Sequence, residues 1–358
     1  RKEFRRTQSH DSMSSIRYEI QSLRGVSILA VICFHLAKGQ FPNGYLGVDI
    51  FFVISGYLIT QQLQNLKSFG LKDYLRDFYF RRLKRIIPSA LSILIITLIA
   101  VNFLLGSITL IQNLPDATWS NFFLANWYYF KENLNYFAAG NLNLFQHFWS
   151  LAIEEQFYLV WPLLFFYAGN RRWISIVLFV GSFGYFLFSN YPNYFYGTPQ
   201  RAWELIAGAL LTQFGWKTSK INHNVIWLLL LLLLTPWQLP NRVASMFAVF
   251  LASAFITLAQ PQVKKGPLFH LGQISYSLYL VHFPAILILR EYLSGATQIK
   301  LIMIEIVIIS LVSFINYRFI EQPLRNLSYR NKTKTISIYL LAIIAFFLII
   351  LLVRSHYV

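Results

Sequence analysis

Long apolar stretches recur along the whole chain, and they constrain its fold more than any other feature. A helix that crosses a bilayer needs about 20 mostly apolar residues. Eleven windows approach that length, although the one at 224–236 is short and Arg201 and Glu204 interrupt the one at 200–215. The windows lie at 20–38, 49–66, 87–106, 148–168, 173–190, 200–215, 224–236, 243–260, 271–290, 298–319 and 335–353. The sequence therefore predicts an all-α integral membrane protein, a polytopic bundle of about 11 transmembrane helices.

The charged residues agree with a membrane protein. They make up 13% of the 358 residues, whereas a soluble domain has about 25%. A net charge of +17 would suggest nucleic acid in a soluble protein, but here the basic residues sort by predicted side. With a cytoplasmic N-terminus, 24 of the 31 Lys and Arg fall on inner segments, as the positive-inside rule requires. We therefore expect an extracytoplasmic C-terminus and no nucleic-acid partner.

The first predicted span carries two ionisable residues, Arg24 and His35. At about 1.5 Å per residue they stand roughly 16 Å apart along one helix. An ionisable group within a span costs about 2.5 kcal/mol or more, so such groups tend to mark function. The pair suggests a site that reaches across the bilayer.

A basic cluster, FRRLKRIIP at 80–88, precedes the third span. Arg82 and Arg85 are three residues apart and share a face if the segment is helical. Guanidinium groups can bind phosphate through two parallel hydrogen bonds. The alternative is that the cluster only anchors the chain to anionic lipid at the cytoplasmic face.

Acidic residues and histidines occupy the outer halves of the predicted spans. Glu154 and Glu155 lie about two turns inside a span, and their side chains point about 100° apart, so we expect at most one to face a given cavity. His35 should lie at a depth similar to that of Glu154. Asp49, Glu204 and His282 also fall in outer halves.

This outer layer suggests a base oriented by an acid. Two structural alternatives remain open, because a membrane histidine can simply join helices by a hydrogen bond and Asp49 stands where a helix N-cap belongs. Together with the arginines, the layer predicts phosphate binders near the cytoplasmic face and acid/base groups near the outer face. The predicted outer loop at 107–147 is rich in Asn and aromatic residues, which suits either stacking on sugar rings or an interfacial aromatic belt.

Six segments, taken in order, resemble the signature set of the membrane-bound acyltransferase family 3, which O-acylates cell-surface glycans. They are LRGVSILAVICFH, YLGVDIFFVISGYLIT, RRLKRIIP, FWSLAIEEQFYLVWP, ISYSLYLVHFP and FIEQPLR. They cover about 20–325, and the ordered set is far more specific than any one segment. The resemblance implies a multi-pass protein of the bacterial cytoplasmic membrane.

The resemblance also implies roles for particular residues. His35 would be catalytic, and Glu154 would be the glutamate of the WSLxxE element. From the depth of these residues in the predicted spans, we expect Glu154 or Asp49 to orient His35 or to balance its charge. Arg24, Arg82 and Arg85 would bind the donor, expected to be acetyl- or acyl-coenzyme A. The acceptor would be an extracytoplasmic glycan such as lipopolysaccharide O-antigen or peptidoglycan, and no metal is expected. The remaining candidates, expected to line the site, are Glu155, Glu204, Tyr279 and His282.

We expect three segments in the chain. Residues 1–12 resemble an expression-tag remnant, 13–330 form the acyltransferase membrane domain, and 331–358 add a span that leads outside. In the family that last span resembles members that carry an extracytoplasmic SGNH domain, so such a domain, or an oligomer, is a candidate partner beside membrane lipid. The alternative function is a transporter or flippase that moves an acyl donor or glycolipid without chemistry, since a two-layer polar pathway would suit it equally.

Overall fold

A computed structural model describes residues 18–37, 39–66, 70–137, 142–168, 171–215, 239–258, 265–326 and 332–357, together with 227, 230–231 and 234–236. Within these residues the chain forms helices and turns and no β-strand. The helices are α1 (Tyr18–Leu36), α2 (Gly47–Leu66), α3 (Leu71–Leu104), α4 (Ser107–Asn121), α5 (Ala125–Lys131), α6 (Phe148–Ala168), α7 (Arg172–Phe188), α8 (Asn193–Tyr196), α9 (Thr198–Phe214), α10 (Asn241–Leu258), α11 (Pro267–Gln273), α12 (Ser275–Tyr292), α13 (Gln298–Asn316), α14 (Gln322–Asn326) and α15 (Lys332–Tyr357).

The all-helical membrane fold is confirmed. Ten of the eleven predicted windows coincide with helices, and the window at 224–236 lies mostly outside the described residues. By length and hydropathy, five helical stretches in the described part could each cross a bilayer, and α11 with α12 forms a sixth that is bent by 76°. Eleven spans and the orientation of the termini remain predictions.

Close backbone packing brings α1, α2, α9 and α11 together. A Cβ on Gly56 would lie 1.7 Å from the carbonyl oxygen of Leu205, and one on Gly208 would lie 1.9 Å from that of Val53. Gly25 meets α11 in the same way. Small residues permit such contacts between membrane helices. Helix α1, which carries Arg24, therefore packs directly against α11, and α2, which carries most of the YLGVDIFFVISGYLIT segment, packs directly against α9.

Two long apolar helical stretches lie at the outside of the bundle, with most of their residues exposed. Only 17% of the apolar window is buried in Gln298–Asn326, and the same holds for Lys332–Ser355. Lys332 on α15 forms a 2.8 Å ion pair with Asp77 on α3, which holds one end of this outer helix to the bundle.

The predicted outer loop at 107–147 contains two helices, α4 and α5. Asp116 on α4 accepts hydrogen bonds from the backbone N–H of Phe145, at 2.9 Å, and from the Tyr129 hydroxyl. Burial raises the pKa of Asp116 to about 7. These contacts fix the segment that leads into α6 and its two glutamates.

Candidate active site

A cavity lies between α1, α2, α3, α6 and the start of α12. It contains about 770 Å³ of unfilled space, measured out to its open mouth. Hydroxyl-bearing and apolar side chains form most of its lining. Five charged side chains also line it: Arg24, Arg82, Arg85, Glu154 and Glu155. Three guanidinium groups and two carboxylates, from three different helices, thus share one space.

The arginines are held by neutral partners. Arg24 donates from Nη2 to the hydroxyl of Ser275 at 2.8 Å, at the first residue of α12. Arg82 donates to the side-chain oxygen of Gln62, and its guanidinium lies 5.6 Å from the ring centre of Tyr158. Arg82 and Arg85 face the same cavity because helix α3 begins well before the basic cluster. The predicted shared face is thus observed.

Glu154 is bound by two hydroxyl groups. Ser55 donates to Oε1 at 2.9 Å and Tyr158 donates to Oε2 at 3.0 Å. Arg24 and Arg85 are close enough to interact with this carboxylate electrostatically. Its environment is therefore the arginine end of the site.

Two details of the predicted layout were wrong. Both adjacent glutamates line one cavity, whereas a separation of about 100° predicts one. The reason is that the cavity is bordered by several helices: Glu154 contacts Ser55 on α2, while Glu155 lies within electrostatic reach of Arg82 and Arg85 on α3. In addition, Glu154 lies with the arginines and not in a common layer with His35, so the two predicted layers merge at this residue.

His35 lies near the end of α1, outside the cavity lining. Its Nδ1 donates to the carbonyl of Val31 at 2.8 Å, which leaves Nε2 as an acceptor, 3.1 Å from the Tyr136 hydroxyl. Its ring centre is 5.1 Å from that of His282. His147 lies just before α6, and its ring centre is 5.6 Å from that of His282. His35, His147 and His282 thus form a cluster of three histidines.

The three imidazoles share one hydrogen-bonding pattern. His147 donates from Nε2 to the carbonyl of Leu280 at 3.1 Å, and His282 donates from Nδ1 to that of Tyr279 at 2.7 Å. The opposite nitrogens, Nδ1 of His147 and Nε2 of His282, are buried without a hydrogen-bond partner in the described part of the chain. His147 stands at the start of a segment that sequence reasoning singled out, HFWSLAIEEQFYLVWP, but only its glutamates were given roles. Across the described residues no group of three or more His, Cys, Asp or Glu is arranged to hold a metal ion.

Asp49 and Glu204 belong to a different cluster. Arg201 donates to Oδ1 of Asp49, Ser245 donates to Oδ2 of Asp49 at 3.0 Å, and Nε of Arg201 lies 3.2 Å from Glu204. All three charged side chains are buried, and none lines the cavity. The structure therefore places Asp49 in an ion cluster that joins α2, α9 and α10, away from any hydrogen bond to His35.

Glu321, in the FIEQPLR segment, is a residue to which sequence reasoning gave no role. It is buried in the π-helical turn Tyr317–Glu321 and accepts a hydrogen bond from Ser277 at 2.7 Å. It also interacts electrostatically with Arg24. Single π turns occur frequently at functional sites, and this signal is invisible in the sequence.

Tyr279 separates the cavity from the three histidines. Its hydroxyl lies 2.6 Å from the hydroxyl of Ser150, and both residues line the cavity. It also donates to the carbonyl of His147 at 2.9 Å. Along α12, Tyr279 stands about 6 Å beyond Ser275 and about 4.5 Å before His282.

The fold and this interior define a helical membrane protein with a cavity lined by arginines and glutamates beside a cluster of three histidines. The chain belongs to the acyltransferase 3 family, because the family's model, described as an acyltransferase domain, matches residues 17–355. The resemblance drawn from the six segments is thereby confirmed.

Curated relatives include proteins of Staphylococcus aureus. The O-acetyltransferase OatA of strain NCTC 8325 is 31% identical over 368 aligned residues, which cover 92% of this chain and 60% of the relative. The putative O-acetyltransferase SAS0844 of strain MSSA476 is 29% identical, covering 89% of this chain and 59% of the relative. The chain thus spans about three fifths of the length of these relatives. No solved structure matches it.

Proposed function

We propose that this chain transfers an acetyl group from cytoplasmic acetyl-coenzyme A to a hydroxyl of an extracytoplasmic glycan, directly or through a partner SGNH domain. The observation that carries the proposal is the juxtaposition of an arginine-lined cavity with a histidine cluster across Tyr279. The names of the relatives, O-acetyltransferase and putative O-acetyltransferase, support the choice of an acetyl group.

The arginine end suits a polyanionic head group. In the described part of the chain, none of Arg24, Arg82 and Arg85 has a carboxylate within ion-pair distance. Nε of Arg24 and Nε of Arg82 are buried donors without a hydrogen-bond partner there. Leaving such donors unsatisfied costs about 1–3 kcal/mol each. A bound phosphate group would accept hydrogen bonds from both nitrogens, so the residues fit the phosphates of acetyl-coenzyme A.

The histidine end suits proton transfer from a hydroxyl. The Nε2 lone pair of His35 already accepts the hydrogen bond of one hydroxyl, that of Tyr136. An acceptor hydroxyl that takes this place would pass its proton to His35 as its oxygen attacks the thioester carbonyl carbon. The carbon–sulfur bond then breaks, and the proton held by His35 passes to the thiolate, so that an ester and a thiol result.

The donor must extend from one group to the other. Arg24 and His35 are roughly 16 Å apart along α1, which is comparable with the length of a pantetheine arm. Tyr279 and Ser150 line this path, so we propose that the arm passes beside their paired hydroxyl groups. The coenzyme head would remain at the arginines throughout.

Two measurements on the purified protein in lipid nanodiscs test the proposal. Calorimetry should show binding of coenzyme A, and labelled acetyl-coenzyme A should lose its acetyl group to a hydroxyl acceptor or to water. A transporter or flippase would bind or move the donor but leave its thioester intact. Intact thioester after prolonged incubation with a glycan acceptor would refute the enzyme and favour that alternative.

A further inference from the structure

The hydroxyl pair at the end of the cavity has the chemistry that an oxyanion requires. Tyr279 and Ser150 are both buried, and their oxygens are 2.6 Å apart. Both hydroxyl groups can donate to the carbonyl of His147, Tyr279 at 2.9 Å and Ser150 at 3.4 Å. Because the Tyr279 contact is the shorter one and each hydroxyl has one proton, Tyr279 donates to this carbonyl and Ser150 donates to Tyr279. The result is a chain from Ser150 to Tyr279 to a carbonyl oxygen. Hydrogen bonds in such a chain polarise one another.

The position of the pair matches the path of the donor. Tyr279 follows Ser275, which holds Arg24, by one turn of α12. It precedes His282, whose Nδ1 donates to its backbone carbonyl, by a little less than one turn. An acyl group that travels from the arginines to His35 therefore passes the Tyr279 hydroxyl.

The histidines cannot supply hydrogen-bond donors at this point. Each of the three gives its ring N–H to a backbone carbonyl, namely those of Val31, Leu280 and Tyr279. Their remaining nitrogens are acceptors, which suits proton uptake and not stabilisation of negative charge. The hydroxyl groups of Tyr279 and Ser150 are thus the donors that the cavity offers next to the histidine cluster.

Resting on the proposed function, we propose that the Tyr279 hydroxyl, supported by Ser150, binds the thioester carbonyl oxygen and stabilises the negative charge that develops there. When the acceptor oxygen forms its bond to the carbonyl carbon, the electron pair of the C=O double bond moves to the carbonyl oxygen, which becomes the oxyanion. In the absence of acetyl-coenzyme A the Tyr279 proton points to the His147 carbonyl. In the reaction it is redirected to the oxyanion. The oxyanion then collapses and the carbon–sulfur bond breaks.

Tyr279→Phe tests this role because it removes the hydroxyl and keeps the ring. Removing one hydrogen-bond donor to an oxyanion should lower kcat by about 10²–10³. The KM for acetyl-coenzyme A and the Kd for coenzyme A should stay within about threefold of wild type. Ser150→Ala should lower kcat less, because it only supports the donor. Tyr79→Phe is the matched control: its hydroxyl donates to the backbone carbonyl of Leu159 at 2.9 Å, outside the cavity. Its kcat should equal that of wild type.

A spectroscopic measurement provides a readout besides activity. S-(2-oxopropyl)-coenzyme A, a ketone that cannot be hydrolysed, is labelled with ¹³C at its carbonyl and bound to each variant. A hydrogen bond from Tyr279 moves the carbonyl resonance downfield in wild type and in Tyr79→Phe, and this shift should disappear in Tyr279→Phe. Loss of packing alone would lower the melting temperature without this selective change.

Two results would overturn the inference: a folded Tyr279→Phe variant with wild-type kcat, or an unchanged carbonyl resonance in that variant. If Tyr279→Phe fails to fold, the same two readouts on Ser150→Ala decide, with wild-type values counting against the role. Failure of the proposed function is distinct, because wild type itself would then leave acetyl-coenzyme A intact.

Discussion

At the scale of single residues, His35 is the imidazole whose Nε2 accepts a hydrogen bond from a hydroxyl, that of Tyr136. We predict that His35→Gln lowers acyl transfer by at least about 10²-fold, because Gln can accept the hydrogen bond of a hydroxyl but cannot take the proton of the acceptor. Thermal unfolding should remain near that of wild type. Transfer of labelled acetyl groups measures the first and differential scanning fluorimetry the second.

His270→Gln is the control for this substitution, since His270 is exposed on α11. It should retain full activity. A His35→Gln variant with more than about a tenth of wild-type activity would contradict the base assignment, given the usual size of general-base effects.

Arg82 and Arg85 allow a second prediction at this scale. Each Arg→Ala substitution removes a charge-assisted contact to the donor worth about 1.5–3 kcal/mol, which corresponds to roughly a 10- to 150-fold rise in the Kd for coenzyme A. Arg81→Ala is the matched control, because Arg81 is the exposed neighbour on the same helix. Calorimetry with coenzyme A and with its 3′-dephospho analogue gives the values. If the Arg82 and Arg85 variants bind both ligands as wild type does, these arginines are only anchors to lipid.

At the scale of helices, the Asp49–Arg201–Glu204 cluster joins α2, α9 and α10. We predict that Asp49→Ala destabilises the protein by about 3–5 kcal/mol, because it leaves a buried guanidinium with less compensation. Unfolding by denaturant measures this, and activity per folded molecule should change little. An Asp49→Ala variant of wild-type stability that loses transfer by more than about 10²-fold would instead establish the catalytic role that the sequence suggested.

Helix spacing gives a further prediction. Gly56→Ala should destabilise the fold by about 1–3 kcal/mol or more, because a Cβ there would overlap the carbonyl of Leu205 on α9. Gly181→Ala is the control: nothing lies within 4 Å of the added Cβ, and Ala favours the helix by about 1 kcal/mol. Comparable unfolding curves for the two variants would show that α2 and α9 can move apart at little cost.

At the scale of the whole molecule, the proposed mechanism has a direction. Arg82 and Arg85 lie on the predicted cytoplasmic side, so we predict transfer only when acetyl-coenzyme A is supplied to that face. A polyanionic head that entered from the opposite face would have to cross the membrane interior, which is prohibitively costly. Oriented vesicles, with donor on one side and acetylated product assayed on the other, measure this. Equal activity with donor at the outer face would refute both the orientation and the donor role of the arginines.

The sequence by itself determined the class of fold and most helices, because lipid forces each spanning segment to be apolar and to satisfy its own backbone hydrogen bonds. It also determined that Arg82 and Arg85 share a face, since three residues make nearly one helical turn. The ordered segments from LRGVSILAVICFH to FIEQPLR determined the family.

Only the tertiary structure decided which ionisable groups meet. Glu154 and Asp49 look alike in the sequence, as carboxylates in predicted outer halves, yet one joins the arginine cavity and the other pairs with Arg201. His147 joins His35 and His282 from distant parts of the chain. The physical reason is that a polar side chain inside a membrane protein is satisfied by whichever neighbouring helix packs against it, and glycine contacts such as that of Gly56 with α9 set that packing.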